Sequence, residues 1–180
     1  MNPSVSIVVN TLNRAEALRD LLNALAHQRY DNFEVVVVNG PSTDHTEAVI
    51  REFGDLVKAR TCPLANLSMS RNIGIQATAG EIVVFIDDDG VPEPFWLEEL
   101  VVPYADPSVA GVGGVVHDHT GYDYQAKFIC CDRLGRASYS LTHPFDDLCA
   151  PGTFHYPSLL GCNSSFRRSA LVEVGGFDEE

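Results

Sequence analysis

The sequence has few basic side chains, no paired-cysteine motif and no long apolar run. Its 180 residues include 12 Lys or Arg against 25 Asp or Glu, which gives a formal net charge of −13. This excess of negative charge argues against non-specific binding to nucleic acid or to an anionic membrane surface. No apolar run approaches the about 20 residues that a membrane span requires. We therefore expect no nucleic-acid partner and no membrane span in this chain.

The five cysteines show no Cys-x-x-Cys spacing, which argues against the common zinc and dithiol redox motifs. Their odd number favours reduced thiols in a cytosolic protein. The first four residues lack the basic and apolar regions of a signal peptide. With 45% apolar and 21% charged residues, the composition is that of a folded globular domain.

Four short segments with apolar residues predict strands. Val5–Val9, Phe33–Val38 and Glu81–Ile86 are rich in β-branched residues, whereas Leu56–Arg60 predicts a weaker third strand. Amphipathic helical patterns lie between them, the clearest with leucines at positions 18, 21, 22 and 25. Asn13 is a candidate N-cap for that helix, and Glu16 completes a pair like a capping box. Another helix is predicted from about Ser68 to Ala79, ending on a left-handed Gly80.

The alternation of strands and helices predicts an α/β fold with a mostly parallel central sheet and helices on both faces. The pattern is less regular after Pro92. There we predict a glycine-containing strand at 110–116 and an irregular, ligand-side region at 117–158. A last strand is predicted at 159–166, followed by a helix at about 169–174 that stops at two glycines.

Three adjacent carboxylates, Asp87, Asp88 and Asp89, directly follow the fourth apolar segment. Adjacent anions repel one another unless they share a cation, and open α/β sheets bind ligands at the carboxyl ends of their strands. The triplet therefore suggests a divalent metal carrying a phosphorylated ligand. The alternative is a solvated acidic turn, because Asp and Gly are common turn residues.

Three further polar clusters fall where other elements end or begin: Asn10–Arg14, Asn39–Asp44 and Ser70–Asn72. Because parallel strands point the same way, we expect all four clusters along one edge of the sheet. Their amide groups suit a base and ribose, their arginines suit phosphate, and the carboxylates suit a metal. Arg71 could be a solvated surface cation, but its place at a helix start favours phosphate binding.

The order and spacing of these motifs resemble those of family 2 glycosyltransferases of the GT-A fold. The resemblance extends from Val5 to the last residue, over Val5–Arg14, Val35–Asp44, Ser70–Gly74, Gly80–Asp89, Gly161–Asn163 and Gly175–Glu179. It implies a GT-A type, Rossmann-like sheet within a single domain of residues 1–180. The nucleotide-binding half would cover about residues 1–90 and the acceptor-side half about residues 91–180.

The resemblance also implies a nucleotide-sugar site. Its expected residues are Thr11, Asn13, Arg14, Asn39, Arg71, Asp87 and Asp88. Thr11 and Arg14 would lie against the nucleotide, and Arg71 would approach the diphosphate. Many family members carry an acidic pair where this chain has Asn39 and Gly40. Because an amide both donates and accepts, Asn39 can still pair with a uracil edge, and a UDP-type donor is expected.

For the metal, the resemblance implies Mg²⁺ or Mn²⁺. Asp87 stands where the family's Asp-x-Asp motif begins and would contact the ribose or metal-bound water. Asp89 stands where the motif ends and would ligate the ion directly, so the expected metal residues are Asp87 and Asp89. Hard carboxylate oxygens suit either ion.

The implied reaction is the transfer of a sugar, with inversion, from a nucleotide-diphosphate-sugar to a hydroxyl of a saccharide or another acceptor. The implied setting is polysaccharide biosynthesis in the cytoplasm, with the inner face of the membrane as an alternative location. The family's general base follows the Gly-Gly-Phe-Asp-Glu segment, and this sequence ends within that segment at Glu180. We therefore expect a truncated chain whose catalytic base lies beyond Glu180, with weak or absent transferase activity and partly retained nucleotide binding.

Two other functions remain open at this stage. A nucleotidyltransferase also uses acidic metal ligands at a sheet edge, but a Gly-rich, basic loop would be expected after the first strand. Residues 10–14 contain no glycine. A non-catalytic nucleotide-sugar binding module is the other alternative.

Overall fold

A computed structural model describes residues 2–118, 120–126, 128–134, 136–140 and 155–180 of the chain. Its centre is a six-stranded sheet with the strand order β3-β2-β1-β4-β11-β5. These strands are β1 (Val5–Thr11), β2 (Phe33–Asn39), β3 (Val57–Thr61), β4 (Ile82–Asp87), β5 (Gly111–Gly113) and β11 (Asn163–Arg167). Strands β1 to β4 are parallel to one another, whereas β11 is antiparallel to both β4 and β5. The predicted mostly parallel sheet is confirmed.

Helices cover both faces of this sheet. They are α1 (Ala15–Leu25), α2 (Thr46–Glu52), α3 (Leu67–Ala77), α4 (Trp96–Val101) and α5 (Arg168–Glu173). The leucines of α1 and the apolar residues of α2 and α4 share one core cluster with alternate residues of β1, β2 and β4. The opposite face packs against α3 and α5 in a second cluster. Burial on both faces explains why β1, β2 and β4 read as continuous apolar runs.

Short antiparallel strands occupy the described parts of the region after β5. They are β6 (Val116–His117), β7 (Tyr124–Ala126), β8 (Phe128–Asp132), β9 (Ala137–Ser140) and β10 (His155–Pro157). β6 pairs with β7, and β8 lies between β9 and β10. The predicted strand at 110–116 is therefore two strands in different sheets. Of the predicted irregular region at 117–158, the described part contains paired strands, and the remainder lies outside the described residues.

The predicted cap of α1 is wrong. Arg14 is the N-cap residue and makes no side-chain cap hydrogen bond, while Asn13 has a left-handed φ of 56°. The Oδ2 atom of Asp44 accepts instead from the backbone N–H of Ala15, at 3.3 Å. A carboxylate from the next βα loop therefore takes the place of a local cap.

The predicted role of Gly80 is also wrong. Helix α3 ends at Ala77 with an extended Thr78, and Gly80 does not have a positive φ. A Cβ at Gly80 would lie 2.8 Å from the backbone nitrogen of Ser6. Glycine is needed here because the chain passes close to β1. By contrast, the two glycines after α5 do have positive φ values, 82° and 81°, as a glycine stop requires.

In the described part of the chain, no helix is long and apolar enough to cross a bilayer. The described cysteines, Cys62, Cys130, Cys131 and Cys162, are free thiols.

Candidate functional site

The candidate site lies where β1, β2 and β4 end. Asn10 of β1 is opposite Asp87 of β4, and Thr11 is opposite Asn39 of β2. The three strand ends therefore stand at one level, as the parallel topology requires. Helix α3 reaches the same edge, because the Nδ2 atom of Asn10 donates to Ser70 Oγ at 2.6 Å. The structure thus brings all four polar clusters of the sequence to one edge.

Arg14 pairs with the acidic turn that follows β4. Its Nη1 atom donates to Asp89 Oδ2 at 2.5 Å and lies 3.6 Å from Asp88 Oδ1. The hydrogen bond to Asp89, then the charge of Asp88, raises the pKa of Arg14. Arg14 and Asp89 are both exposed, whereas Asp88 is buried. The guanidinium therefore stands where a cation shared by the carboxylates would be expected.

Asp87 and Asp88 are harder to ionise than ordinary aspartates. Burial raises the pKa of both, and the charge of Asp89 raises both further. For Asp88, the Thr11 hydroxyl and Arg14 lower the pKa in opposition. The Thr11 hydroxyl is buried, and its contact with Asp88 falls outside normal hydrogen-bond geometry, as do its contacts with the other described residues. Asp87 retains solvent exposure, so water screens part of its interaction with the neighbouring charges.

Arg71 approaches the same edge from α3. The guanidinium carbon lies 5.8 Å from the ring centroid of Phe85 and 5.1 Å from that of Phe177. Burial lowers the pKa of Arg71, while the charge of Asp87 raises it. Among the described residues, no carboxylate lies within 4 Å of this guanidinium. Arg71 is therefore a half-buried cation that an anionic ligand could pair with.

Asn13 links the loops that follow β1 and β2. Its Oδ1 atom accepts from the backbone N–H groups of Thr43, at 2.7 Å, and Asp44, at 3.3 Å. Its own N–H donates to Ser42 Oγ at 2.9 Å, and Ser42 donates to Asn39 Oδ1 at 2.7 Å. The side-chain acceptors of Asn13 and Asn39 are therefore already engaged within these loops.

Two recesses open beside the loops. The first, of about 200 Å³, is lined by Asn10, Thr11, Leu12, Gly40, residues 64–67 and Ser70. The second, of about 360 Å³, lies on the α2 side and includes Asn39, Ser42, Arg51 and Thr61 in its lining. Asn39 thus faces the second recess, whereas Thr11 lines the first. The structure does not bring these two expected nucleotide-binding residues to a common recess.

The acidic turn fits a divalent cation only in part. Within the described ranges, no group of three His, Cys, Asp or Glu side chains is arranged to hold a metal. Mg²⁺, however, is usually held by one or two carboxylates, with phosphates and water completing the shell. Asp87 and Asp89 provide hard oxygen ligands of that kind, next to two arginines that suit phosphate. The donor set therefore fits an ion that arrives with a diphosphate.

Asn66 was not singled out from the sequence, and Asn72 was named there only as part of a polar cluster, without its contacts. Asn72 donates to the backbone carbonyl of Phe177 and accepts from its N–H, each at 2.8 Å. Asn66 caps α3 by accepting from the N–H of Met69 at 2.9 Å, and it also donates to the carbonyl of Glu179. The signal for Asn66 was present, because Asn before a helix is a common N-cap. The contacts to 177–179 join residues more than 100 positions apart and leave no local signal.

The sequence model of Glycosyl transferase family 2 matches residues 6–175. A glucosyl-dolichyl phosphate glucuronosyltransferase of Haloferax volcanii is 29% identical, over 99% of this chain and 56% of its own length. O-antigen biosynthesis protein RfbC of Myxococcus xanthus is 31% identical, over 98% of this chain and 15% of its own length. The chain therefore spans about half of the first relative and a small part of the second.

Solved structures show the same fold. The mannosyltransferase PcManGT of Pyrobaculum calidifontis, in complex with GDP-Man and Mn²⁺, superposes with a TM-score of 0.75. The two chains are 24% identical, and the superposition covers all of this chain and 49% of PcManGT. S. aureus TarS in complex with UDP-GlcNAc gives a TM-score of 0.71 at 20% identity, over 95% of this chain and 47% of TarS. Both structures are those of GT-A glycosyltransferases.

Proposed function

Because the chain belongs to Glycosyl transferase family 2, we propose that its carboxyl edge binds a nucleotide-sugar donor through the diphosphate, together with Mg²⁺ or Mn²⁺. One observation carries this proposal: Arg14, the acidic turn and Arg71 meet at one sheet edge, and Arg14 already neutralises Asp89 at 2.5 Å. Cationic and anionic groups in such an arrangement suit a metal–diphosphate ligand better than either component alone.

Each residue has a distinct role in this proposal. Asp89 and Asp87 would hold the cation, and Arg14 would move from Asp89 to a phosphate oxygen. Arg71 would approach the diphosphate from the α3 side. The second recess, whose lining includes Asn39 and Ser42, would take the nucleobase. A bound divalent cation would stabilise the negative charge that develops on the leaving diphosphate.

We propose that the whole protein transfers a sugar to an acceptor hydroxyl with inversion. The bond between the anomeric carbon and the diphosphate oxygen breaks, and its electron pair leaves with the diphosphate. The acceptor oxygen forms the new bond from the opposite face, and a carboxylate base takes its proton. Glu179 is a poor candidate for that base, because its Oε1 atom accepts from Asn72 Nδ2 at 2.7 Å and is held against α3.

The donor nucleotide is a separate part of the proposal. Ser42 occupies Oδ1 of Asn39, so the Asn39 amide can offer a ligand its N–H donors. A donor at this place suits a carbonyl oxygen of the base, such as O4 of uracil or O6 of guanine. The neighbours with bound UDP-GlcNAc and GDP-Man make UDP and GDP the first two ligands to compare.

Calorimetric titration with UDP, GDP and TDP, each with and without Mn²⁺, tests the proposal. We expect metal-dependent binding of at least one diphosphate, abolished by Asp89→Asn. Binding without turnover by the whole protein would favour a binding module instead. Pyrophosphate release from a nucleoside triphosphate would favour a nucleotidyltransferase, and no binding of any diphosphate would overturn the proposal.

A further inference from the structure

The segment after α5 folds back onto α3. Two consecutive left-handed glycines reverse the chain, and the N–H of Gly176 donates to the carbonyl of Leu171 at 2.9 Å. A Cβ at Gly176 would lie 2.5 Å from Asn72 Oδ1. The turn therefore needs glycine both for its conformation and for its close approach to α3.

Asn72 fixes the residue that follows this turn. Its side-chain amide bonds both the N–H and the carbonyl of Phe177, each at 2.8 Å. The same amide nitrogen donates to Glu179 Oε1 at 2.7 Å, and Asn66 Nδ2 donates to the carbonyl of Glu179 at 2.9 Å. Two asparagines of the α3 region thus hold the backbone of residues 177–179 in register with the helix.

The ring of Phe177 is held against the guanidinium of Arg71. It packs edge-to-face on Phe85, with centroids 5.4 Å apart and an interplanar angle of 88°. The guanidinium carbon of Arg71 lies 5.1 Å from the Phe177 centroid. On another side, a Cβ at Gly161 would lie 3.1 Å from Arg71 Nη2. Two rings and a glycine therefore restrict the guanidinium, although no described carboxylate pairs with it.

We propose that Phe177, fixed by Asn72, is a positioning residue that holds Arg71 ready for the diphosphate. This inference rests on the proposed function, because it assumes that Arg71 binds phosphate. An arginine side chain loses considerable rotamer freedom on binding an anion, and a preformed aromatic contact removes part of that loss beforehand. The face of an aromatic ring attracts a guanidinium without neutralising it, so its charge stays available to the ligand.

A double-mutant cycle between Phe177 and Arg71 tests this role. The substitutions are Phe177→Leu, Arg71→Gln and both together, and the measurement is the Kd for Mn²⁺ with whichever of UDP, GDP and TDP the unsubstituted chain binds best. We expect Phe177→Leu to raise the Kd about fivefold. That factor corresponds to about 1 kcal/mol, which is typical of a cation–π contact. In the Arg71→Gln background, Phe177→Leu should have no further effect.

A matched control separates positioning from packing. Phe166 also meets Phe85 edge-to-face, at 6.3 Å, and it belongs to the same core face. Phe166→Leu should lower the thermal stability about as much as Phe177→Leu, yet leave the diphosphate Kd within twofold of the parent. Phe177→Tyr keeps the ring and should restore the affinity that Phe177→Leu loses.

Gly161→Ala carries the same test if Phe177→Leu does not fold. Its added methyl would lie 3.1 Å from Arg71 Nη2 and, chain neighbours apart, within 4 Å of no other described residue, so the fold should be retained. We expect Gly161→Ala to weaken diphosphate binding in the parent chain and to have no further effect in the Arg71→Gln background.

The outcomes distinguish the phosphate role of Arg71 from the positioning role of Phe177. If Arg71→Gln does not weaken diphosphate binding, the proposed phosphate role of Arg71 is wrong. If Arg71→Gln weakens binding but the effects of Phe177→Leu or Gly161→Ala simply add to it, only the positioning role is overturned.

Discussion

Substitution of Gly74 by alanine should destabilise the chain and loosen the candidate site. Gly74 lies in α3 where the helix packs on β1, and a Cβ there would meet Val8 Cγ1 at 2.4 Å. Val8 is fully buried, so its methyl group cannot move into solvent. Overpacking of a filled core costs about 1–3 kcal/mol. This separation is shorter than a normal carbon–carbon contact by roughly 1 Å or more, so we expect the free energy of unfolding to fall by about 2 kcal/mol.

Urea denaturation measures this cost directly. The midpoint should fall with an unchanged slope, and the melting temperature should drop by about 4–8 °C for a chain of this size. The double substitution Gly74→Ala with Val8→Ala removes the clash, so it should cost no more than Val8→Ala alone. The hydrogen bond between Asn10 and Ser70 depends on the same helix approach, and diphosphate binding should weaken in Gly74→Ala only. A loss of stability below about 0.5 kcal/mol, or additive effects in the double variant, would refute the reasoning.

Three further predictions concern the loops and the acidic turn. Arg14→Gln removes the cation that pairs with Asp89, so it should tighten the binding of Mn²⁺ alone, measured by electron paramagnetic resonance. The same substitution should weaken the binding of Mn²⁺ together with a diphosphate. Effects of the same sign on both would contradict the role of Arg14. Burial raises the pKa of Asp88 in the folded state above its unfolded value of roughly 3.9. The contribution of Asp88 to the free energy of unfolding is therefore fully present below a pH of about 3.9, and it is lost as the pH rises through the folded-state pKa. The stability of Asp88→Asn relative to the parent should therefore increase from pH 4 to pH 7, and a flat difference in urea titrations would show that the carboxylate is not desolvated. Asn13→Ala should cost about 1 kcal/mol more than Asn13→Gly in thermal unfolding, because alanine is strained at a φ of 56° and both variants lose the same side-chain bonds.

The sequence was sufficient to predict the parallel part of the sheet and the edge that carries the candidate site. Apolar β-branched runs predicted buried strands, and their alternation with helices predicted parallel pairing. Polar residues at the ends of β1 and β4 then had to meet, as the pairing of Asn10 with Asp87 shows. The position of the site thus follows from topology, even though no contact within it is local.

The errors share one physical origin, which is that tertiary contacts replaced local signals. Asn13 carries a good capping side chain, but its oxygen bonds the N–H groups of Thr43 and Asp44 about 30 residues away. Gly80 was expected to end a helix, but it is required by the nearby backbone of Ser6. The antiparallel direction of β11 could not be predicted from the sequence either, because a buried strand has the same apolar pattern in either direction.

The charges at the edge bear on how such an acidic protein could bind the proposed anionic ligand. The net charge of −13 belongs to the whole chain, and any exposed charge farther from the site than the screening length of about 8 Å contributes little there. Locally, two arginines stand against the three carboxylates of the turn, which leaves a net charge of −1 when all are ionised. A diphosphate alone is repelled by this balance, and a divalent cation alone must displace Arg14 from Asp89. If both bind together, as proposed, Asp87 and Asp89 would hold the cation and Arg14 would pair with a phosphate. Each ligand should therefore raise the affinity for the other by the same factor, as thermodynamic linkage requires.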